Sequence, residues 1–111
     1  MGRTQDLKIV RELSEASIRR CLRFFEVIDE KGGVARKWDL IKVAGNEAGF
    51  KRWVEDFLIY HHFLEKIEDK ERVEYRKTER GKTFQSLLKD YGYVMAFRRI
   101  SGKKLRSVAD L

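Results

Sequence analysis

Residues 64–88 read LEKIEDKERVEYRKTERGKTFQSLL, a stretch that predicts a β-hairpin running directly into a capped helix. Val73 and Tyr75 alternate with polar residues, which is typical of a half-buried strand. Thr78 stands where an N-cap hydroxyl is needed, and the missing Cβ of Gly81 allows the first helical turn to approach neighbouring backbone closely. The apolar residues of the helix then recur every three or four positions, at Phe84, Leu87, Leu88 and Tyr91.

Two helices and a very short strand are predicted at the start of the chain. The first helix covers about residues 4–13. A second helix follows and is capped by Ser14 or Ser17, unless one long helix runs through both segments. The glycine pair at 32–33 ends the second helix, and the short strand is expected at 34–35.

Two further helices, separated by a tight turn, are predicted over residues 36–61. The first, over residues 36–44, is expected to turn Trp38 inward with Ile41 and Ala44, so that Trp38 is largely buried. Gly45 makes the turn, and Asn46 caps the next helix. The apolar side of that helix consists of Phe50, Val54, Phe57, Leu58 and His61, with a partly buried Trp53 at its border.

Length, charge and cysteine content limit the class of protein. A chain of 111 residues forms one domain, and its net charge of +7 favours a polyanionic partner, although an excess of lysine in an ordinary protein would look the same. Its one cysteine, Cys21, allows no internal disulfide and fits a reducing compartment, so we expect a cytoplasmic protein. No apolar run approaches the ~20 residues of a membrane span, so no membrane partner is expected.

The charge is arranged in blocks along the chain. Residues 31–52 carry a net charge of +4, residues 53–71 carry −4, residues 72–83 carry +3 and residues 92–111 carry +4. The first basic block covers the starts of both helices in 36–61, and the block at 72–83 covers the return strand of the hairpin. Basic side chains at these places are typical of contacts with the phosphates of DNA.

The predicted order of elements resembles the winged helix–turn–helix transcriptional regulators common in archaea and their viruses. The residues that carry the resemblance are Tyr75-x-x-Thr78-x-x-Gly81-Lys82, a wing-to-helix signature, and it covers about residues 17–91. It implies a mainly α fold with a small antiparallel β wing, and a homodimer that binds double-stranded DNA. Residues 1–16 then form an N-terminal helical extension, and residues 92–111 form a C-terminal helical extension with a basic tail.

The chain departs from the family pattern at two places. The family has a glycine followed by apolar residues after the helix that reads DNA, where this chain has Tyr60-His61-His62-Phe63-Leu64. The residue before the capping threonine is usually apolar, whereas here it is Lys77.

The candidate DNA contacts are basic side chains near the starts of helices and on the wing. A helix that enters the major groove uses its N-terminal, outward residues, and Arg52 can bind guanine edges with two hydrogen bonds. The wing cations are expected to contact phosphates, with insertion of Arg72 into the minor groove as an alternative. An ordinary solvated charge is the alternative for each of these residues. The full predicted set is Arg36, Lys37, Asn46, Lys51, Arg52, Lys70, Arg72 and Arg76.

Apolar residues continue outside the winged-helix segment and predict a dimer interface. They recur at helical spacing on both sides of that segment, and an exposed apolar patch usually marks an interface. The alternative is that the N-terminal helix folds back over the C-terminal one within a single chain. The predicted interface residues are Leu7, Val10, Tyr93, Val94, Phe97 and Ile100.

No catalytic, metal or cofactor site is expected. His61 and His62 are adjacent on a helix and point to different sides, so they do not form an i, i+4 metal pair. Cys21 lies on an apolar stripe and is expected to be a buried small hydrophobe. No small-molecule effector site is evident. The sequence therefore predicts a duplex DNA-binding regulator, with a protein-interaction module or a non-specific architectural DNA-binding protein as alternatives.

Overall fold

A computed structural model of the protein describes residues 2–92. The elements, in chain order, are α1 (Gly2–Glu12), α2 (Glu15–Glu30), β1 (Val34–Arg36), α3 (Lys37–Ala44), α4 (Glu47–Phe50), β2 (Leu64–Glu68), β3 (Val73–Lys77) and α5 over residues 79–92. A π-helical segment, Lys51–Ile59, continues α4 without a break, and the two together are the α4–π helix. The fold is a mainly α domain with a small three-stranded antiparallel sheet.

Local capping chemistry sets most of the element boundaries. The Ser14 hydroxyl oxygen accepts a hydrogen bond from the backbone N–H of Ser17 at 3.1 Å, which separates α1 from α2. Gly32 and Gly33 follow α2 with φ of 83° and 102°, a region that L side chains rarely adopt. Asn46 Oδ1 accepts from the N–H of Gly49 at 2.6 Å and caps α4. These caps and stops are confirmed predictions.

The sheet has the strand order β1–β3–β2, and every pairing is antiparallel. Tyr75 lies in the central strand between Ala35 of β1 and Lys66 of β2. Both Tyr75 and Ala35 are buried, so this side of the sheet faces the core. At the tip of the β2–β3 hairpin, Asp69 and Arg72 exchange backbone hydrogen bonds of 2.9 and 3.4 Å.

The start of α5 is fastened to the backbone that precedes β2. The Thr78 hydroxyl donates to the carbonyl of His62 at 2.5 Å and accepts from the N–H of Gly81 at 2.9 Å. The N–H of Thr78 donates to the carbonyl of Phe63 at 3.2 Å. A Cβ added at Gly81 would lie 1.9 Å from that carbonyl oxygen. The predicted cap and the predicted close approach are both confirmed.

The core is rich in aromatic side chains. The rings of Phe63 and Phe84 are stacked with centroids 3.8 Å apart, and Phe25 meets Phe84 edge-on at 6.4 Å. Phe50 meets Tyr75 edge-on at 5.6 Å, so the α4–π helix is packed on the sheet. The fully buried members of this core come from every element of the described chain and include Val10, Ile18, Cys21, Phe24, Ile28, Leu40, Val54, Leu58 and Leu88.

The prediction that Trp38 is buried is wrong, because its side chain is 64% exposed. α3 instead buries Leu40, and Ile41, Val43 and Ala44 pack against the core. Because α3 has only eight residues, two neighbouring sets of apolar residues fit helical spacing almost equally well. Trp38 belongs to the set that faces away from the core. Trp53 is half-buried, as predicted.

α1 packs on α5 within the single chain. Val10 is 1% exposed and belongs to the core, so the prediction that it lies at a dimer interface is corrected. Asp6, which is 2% exposed, accepts hydrogen bonds from the Arg80 guanidinium at 2.8 and 3.2 Å. Leu7 is 37% exposed. The other predicted interface residues lie outside the described residues; they are Tyr93, Val94, Phe97 and Ile100.

A polar network joins α2, β3 and α5. Lys77 Nζ lies 2.7 Å from Asp29 Oδ1 and donates to Gln85 Oε1 at 2.7 Å, while Gln85 donates to Asp29 Oδ2 at 3.3 Å. Burial opposes the charge on Asp29, but the hydrogen bonds from Lys77 and Gln85 outweigh it and lower the pKa of the carboxyl. Lys77, the unusual residue before the cap, is therefore an ion-pair partner inside the fold. No helix within residues 2–92 is long and apolar enough to cross a membrane.

Candidate nucleic-acid interface

The first group of predicted contacts lies where β1 leads into α3. The backbone N–H of Arg36 donates to Asp39 Oδ2 at 3.1 Å, which closes the start of α3 and leaves the exposed guanidinium out of that bond. Lys37 is exposed, and its Nζ lies 3.6 Å from Glu47 Oε1 and 5.6 Å from the ring centroid of Phe50. Lys37 therefore bridges the starts of α3 and α4.

Lys51 and Arg52 open the π-helical segment and are both exposed. They lie off the buried line of that helix, which consists of Phe50, Val54 and Leu58. Neither forms an ion pair with an acid within residues 2–92. With Lys37, Lys51 lines a depression of about 170 Å³ whose other walls are Glu47, Phe50 and Glu55.

Asn46 has a structural role at the start of the α4–π helix. Its Oδ1 is occupied by the Gly49 N–H, so its amide oxygen is not free for a base edge. Its side-chain NH₂ group keeps its donors, since the cap uses only the oxygen. Asn46 therefore fixes where the helix begins, next to Lys51 and Arg52.

The hairpin cations differ in how far acids compensate them. Lys70 and Arg72 are exposed at the tip, with Asp69 and Glu71 as their chain neighbours. Arg76 lies opposite Glu65 in the β2–β3 register and forms an ion pair with it. Arg76 is therefore already paired within the sheet, and the prediction that it contacts phosphate has no support from this geometry.

Arg20 of α2 belongs to the same basic surface and was not predicted from the sequence. Its guanidinium carbon lies 5.9 Å from the ring centroid of Trp53, and the guanidinium carbon of Arg52 lies 6.0 Å from the same centroid. In the sequence Arg20 is one of many basic residues on the polar side of an amphipathic helix. Only the packing of α2 against the α4–π helix distinguishes it, so no local signal could have found it.

A second exposed feature lies on α3. The Nζ of Lys42 lies 5.7 Å from the ring centroid of Trp38. Beside them, a groove of about 410 Å³ runs between α2 and α3, and its walls include Arg23, Glu30 and Asp39. Two cations of this groove have acidic partners, since Arg23 lies 3.2 Å from Glu30 and Lys31 lies 3.8 Å from Asp39, while the third cation of its lining is Lys42.

Two titratable side chains of the described chain have pKa values that are shifted by burial. Burial raises the pKa of the Cys21 thiol to about 12, against a small opposing effect of Arg20. Burial also lowers the pKa of His61, and the nearby charge of Arg80 adds to that effect. Among the residues that the structure describes, no three His, Cys, Asp or Glu side chains lie close enough together to hold a metal ion.

Comparisons with protein-family models, with curated proteins and with solved structures found no match to this chain.

Proposed function

We propose that the elements from α2 to β3 form a winged helix–turn–helix that binds duplex DNA, with the β2–β3 hairpin as its wing. The three-stranded antiparallel sheet that ends in the β2–β3 hairpin supports this assignment, whereas the full element order, α1 α2 β1 α3 α4 β2 β3 α5, is not the usual one of a winged helix–turn–helix. The flanking helices α1 and α5 and the π-helical winding of Lys51–Ile59 are additions to the bare module. The resemblance of the wing-to-helix signature further supports a role in transcriptional control.

The observation that carries this proposal is the position of Lys51 and Arg52. Both are exposed near the start of a capped helix, off its buried side, and without acidic partners in the described chain. The helix N-terminus itself attracts anions, because its first N–H groups point outward and its dipole is positive there. The start of the α4–π helix, which carries these two cations, is therefore the best candidate for the element that enters the major groove.

The surrounding residues supply backbone contacts in this mechanism. Arg36 and Lys37 at the start of α3 are placed for phosphates, which position the protein without reading sequence. Lys37 would exchange Glu47 for a phosphate, and an exposed ion pair of this kind contributes only ~0–1 kcal/mol. On the wing, Lys70 and Arg72 form no ion pair within residues 2–92, whereas Arg76 would, like Lys37, have to exchange its exposed partner Glu65 for a phosphate.

The test is a titration of duplex DNA at several salt concentrations. Lys51→Ala with Arg52→Ala should weaken binding and reduce the slope of log K against log salt by about one to two units, since each phosphate contact contributes roughly 0.9. The matched control is Lys8→Ala with Arg11→Ala, which removes the same charge from exposed positions of α1. A folded double variant that binds as the wild type does would refute the α4–π helix as the DNA reader.

A protein-interaction module is the second candidate, and exposed Trp38 is the observation that favours it. Tryptophan is enriched among the residues that dominate protein interfaces. The same titration separates the two functions, because a folded wild-type protein that fails to bind duplex DNA at low salt refutes DNA binding. Full competition by mixed-sequence DNA would instead assign an architectural role.

We also propose that the DNA-binding form is a homodimer, since two-fold pairs present two reading helices to successive major grooves. The exposed side chain of Leu7 supports a contact through the ends of the chain. Sedimentation at micromolar concentration tests it. A monomer mass that Val94→Glu with Phe97→Glu leaves unchanged would refute the dimer.

A further inference from the structure

The ring of Trp53 is contacted by two guanidinium groups that come from different helices. Arg20 belongs to α2 and Arg52 to the α4–π helix. Each guanidinium carbon lies about 6 Å from the ring centroid, so the two are no more than about 12 Å apart. Two positive charges from different helices therefore lie at the same aromatic ring on the surface.

Acidic side chains compensate other arginines of the fold but not this pair. Arg23 lies 3.4 Å from Glu26 and 3.2 Å from Glu30, and Arg80 lies 2.8 Å from Asp6. Within residues 2–92 neither Arg20 nor Arg52 forms such an ion pair. An anion bound beside Trp53 would supply the missing negative charge.

Trp53 also prepares the two guanidinium groups for an anion. A guanidinium that lies over an aromatic ring at about 6 Å from its centroid is attracted by the ring, and this attraction does not use its N–H donors. Trp53 is itself half-buried and meets Phe57 edge-on at 5.8 Å, so its ring is held in place by the core. Side chains that are positioned before binding lose less conformational freedom when the ligand arrives.

We propose that Arg20, Trp53 and Arg52 form a phosphate clamp through which α2 contacts the DNA backbone beside the reading helix. The inference rests on the proposed function and deepens it in two ways. It adds α2 to the DNA interface, and it assigns Arg52 to the sugar–phosphate backbone rather than to a guanine edge. Lys51, one position earlier, is left as the basic residue of this helix that faces the bases.

The clamp is tested with Arg20→Ala and its neighbour Arg19→Ala, which removes the same charge from an exposed position of the same helix. Arg20→Ala should weaken duplex binding about tenfold, as expected for one charge-assisted hydrogen-bonded contact, and should lower the salt slope by about one. The loss should be the same for a selected site and for mixed-sequence duplex. Arg19→Ala should change the affinity less than threefold, in keeping with the loss of a charge that makes no direct contact.

The outcomes separate the clamp from the function on which it rests. If Lys51→Ala weakens binding while Arg20→Ala behaves as Arg19→Ala does, the clamp is refuted and DNA binding stands. If the wild type does not bind duplex at low salt, both are refuted. An effect of Arg52→Ala that depends on base sequence would return Arg52 to base reading and refute the clamp.

Tryptophan fluorescence distinguishes a ligand contact from a purely structural role. The chain has two tryptophans, so Trp38→Phe leaves Trp53 as the single emitter. Saturating duplex DNA should change the Trp53 emission in this variant, and adding Arg20→Ala should remove most of that change at full occupancy. Unchanged melting of both variants checks the fold, and a Trp53 emission that does not respond to DNA would refute the clamp.

Discussion

Replacing Gly81 by alanine tests the closest backbone approach in the fold. The added Cβ would lie 1.9 Å from the carbonyl oxygen of Phe63 and 2.9 Å from its carbonyl carbon. A flexible side chain could move aside, but this neighbour is backbone. The same oxygen accepts the N–H of Thr78, so a shift of the Phe63 peptide also strains the cap of α5.

The expected cost follows from three contributions. Overpacking in a tightly packed region costs ~1–3 kcal/mol. Disturbing the Thr78 cap costs about 1 kcal/mol more. Alanine is the better helix former by about 1 kcal/mol, which offsets part of the loss. We therefore expect Gly81→Ala to lower the free energy of unfolding by roughly 1–3 kcal/mol, or the melting temperature by about 5–20 °C for a domain of this size.

Gly92→Ala is the matched control because it lies in the same helix. Its added Cβ would be 3.5 Å from Ile18 Cγ2, an ordinary contact, so this variant should be neutral or more stable by up to ~1 kcal/mol. Urea unfolding followed by far-ultraviolet circular dichroism measures both variants. A Gly81→Ala protein within about 0.5 kcal/mol of the wild type would refute the close approach, as would an equal loss in Gly92→Ala.

Three further expectations concern single side chains. Trp38→Ala should change the free energy of unfolding by no more than about 0.5 kcal/mol, because Trp38 is mostly exposed, and a loss above ~3 kcal/mol would return it to the core. Cys21 should not react with a thiol reagent at pH 8 until the protein is unfolded, because it is buried with a pKa near 12, and fast labelling of the native protein would contradict this. Asp29→Asn should destabilise the protein at neutral pH, where Asp29 is charged and bound to Lys77 and Gln85. Because the pKa of Asp29 is lowered in the folded state, the difference in stability from the wild type should disappear as the pH falls through that pKa. A difference that does not depend on pH would exclude the ion pair.

The parts of the fold that the sequence predicted are those set by neighbouring residues. The caps at Ser14, Asn46 and Thr78 and the stop at Gly32 depend on hydrogen bonds and backbone angles within about one turn of the chain. Hydroxyl and amide side chains carry this information directly, because few others can satisfy the free N–H groups of a first turn. The β2–β3 hairpin could be predicted as well, because Tyr75 alternates with polar neighbours along β3.

The departures from the family pattern have explanations that only the folded chain provides. His62 adopts a φ of 63°, the left-handed region that favours glycine, near the place where the family that the sequence resembles usually has a glycine. Its carbonyl is held by the Thr78 hydroxyl, a contact sixteen residues away in sequence. Lys77 is explained by Asp29, which is far away along the chain.

In the α4–π helix, the spacing of apolar residues predicts which side is buried but not how the backbone is wound. The buried line of Phe50, Val54 and Leu58 was predicted correctly, with Phe57 and His61 beside it. The same spacing fits an ordinary α-helix, so the wider i→i+5 winding of Lys51–Ile59 was not predicted. The contact of Arg20 with Trp53 likewise depends on how two helices pack, which no local pattern encodes.

Ion pairing changes which basic block of the sequence can attract a polyanion. By residue count, the blocks at 31–52 and 72–83 are similar candidates. In the structure, four of the five basic residues in 72–83 have acidic partners, and these are Arg76 with Glu65, Lys77 with Asp29, Arg80 with Asp6 and Lys82 with Glu79. Arg72 alone of that block has none within residues 2–92. In 31–52 only Lys31 and Lys37 form ion pairs within residues 2–92, with Asp39 and Glu47, while Arg36, Lys42, Lys51 and Arg52 form none. Since counterion release depends on the cations that can reach phosphates, the proposed DNA binding should owe more of its salt dependence to residues 31–52 than to residues 72–83.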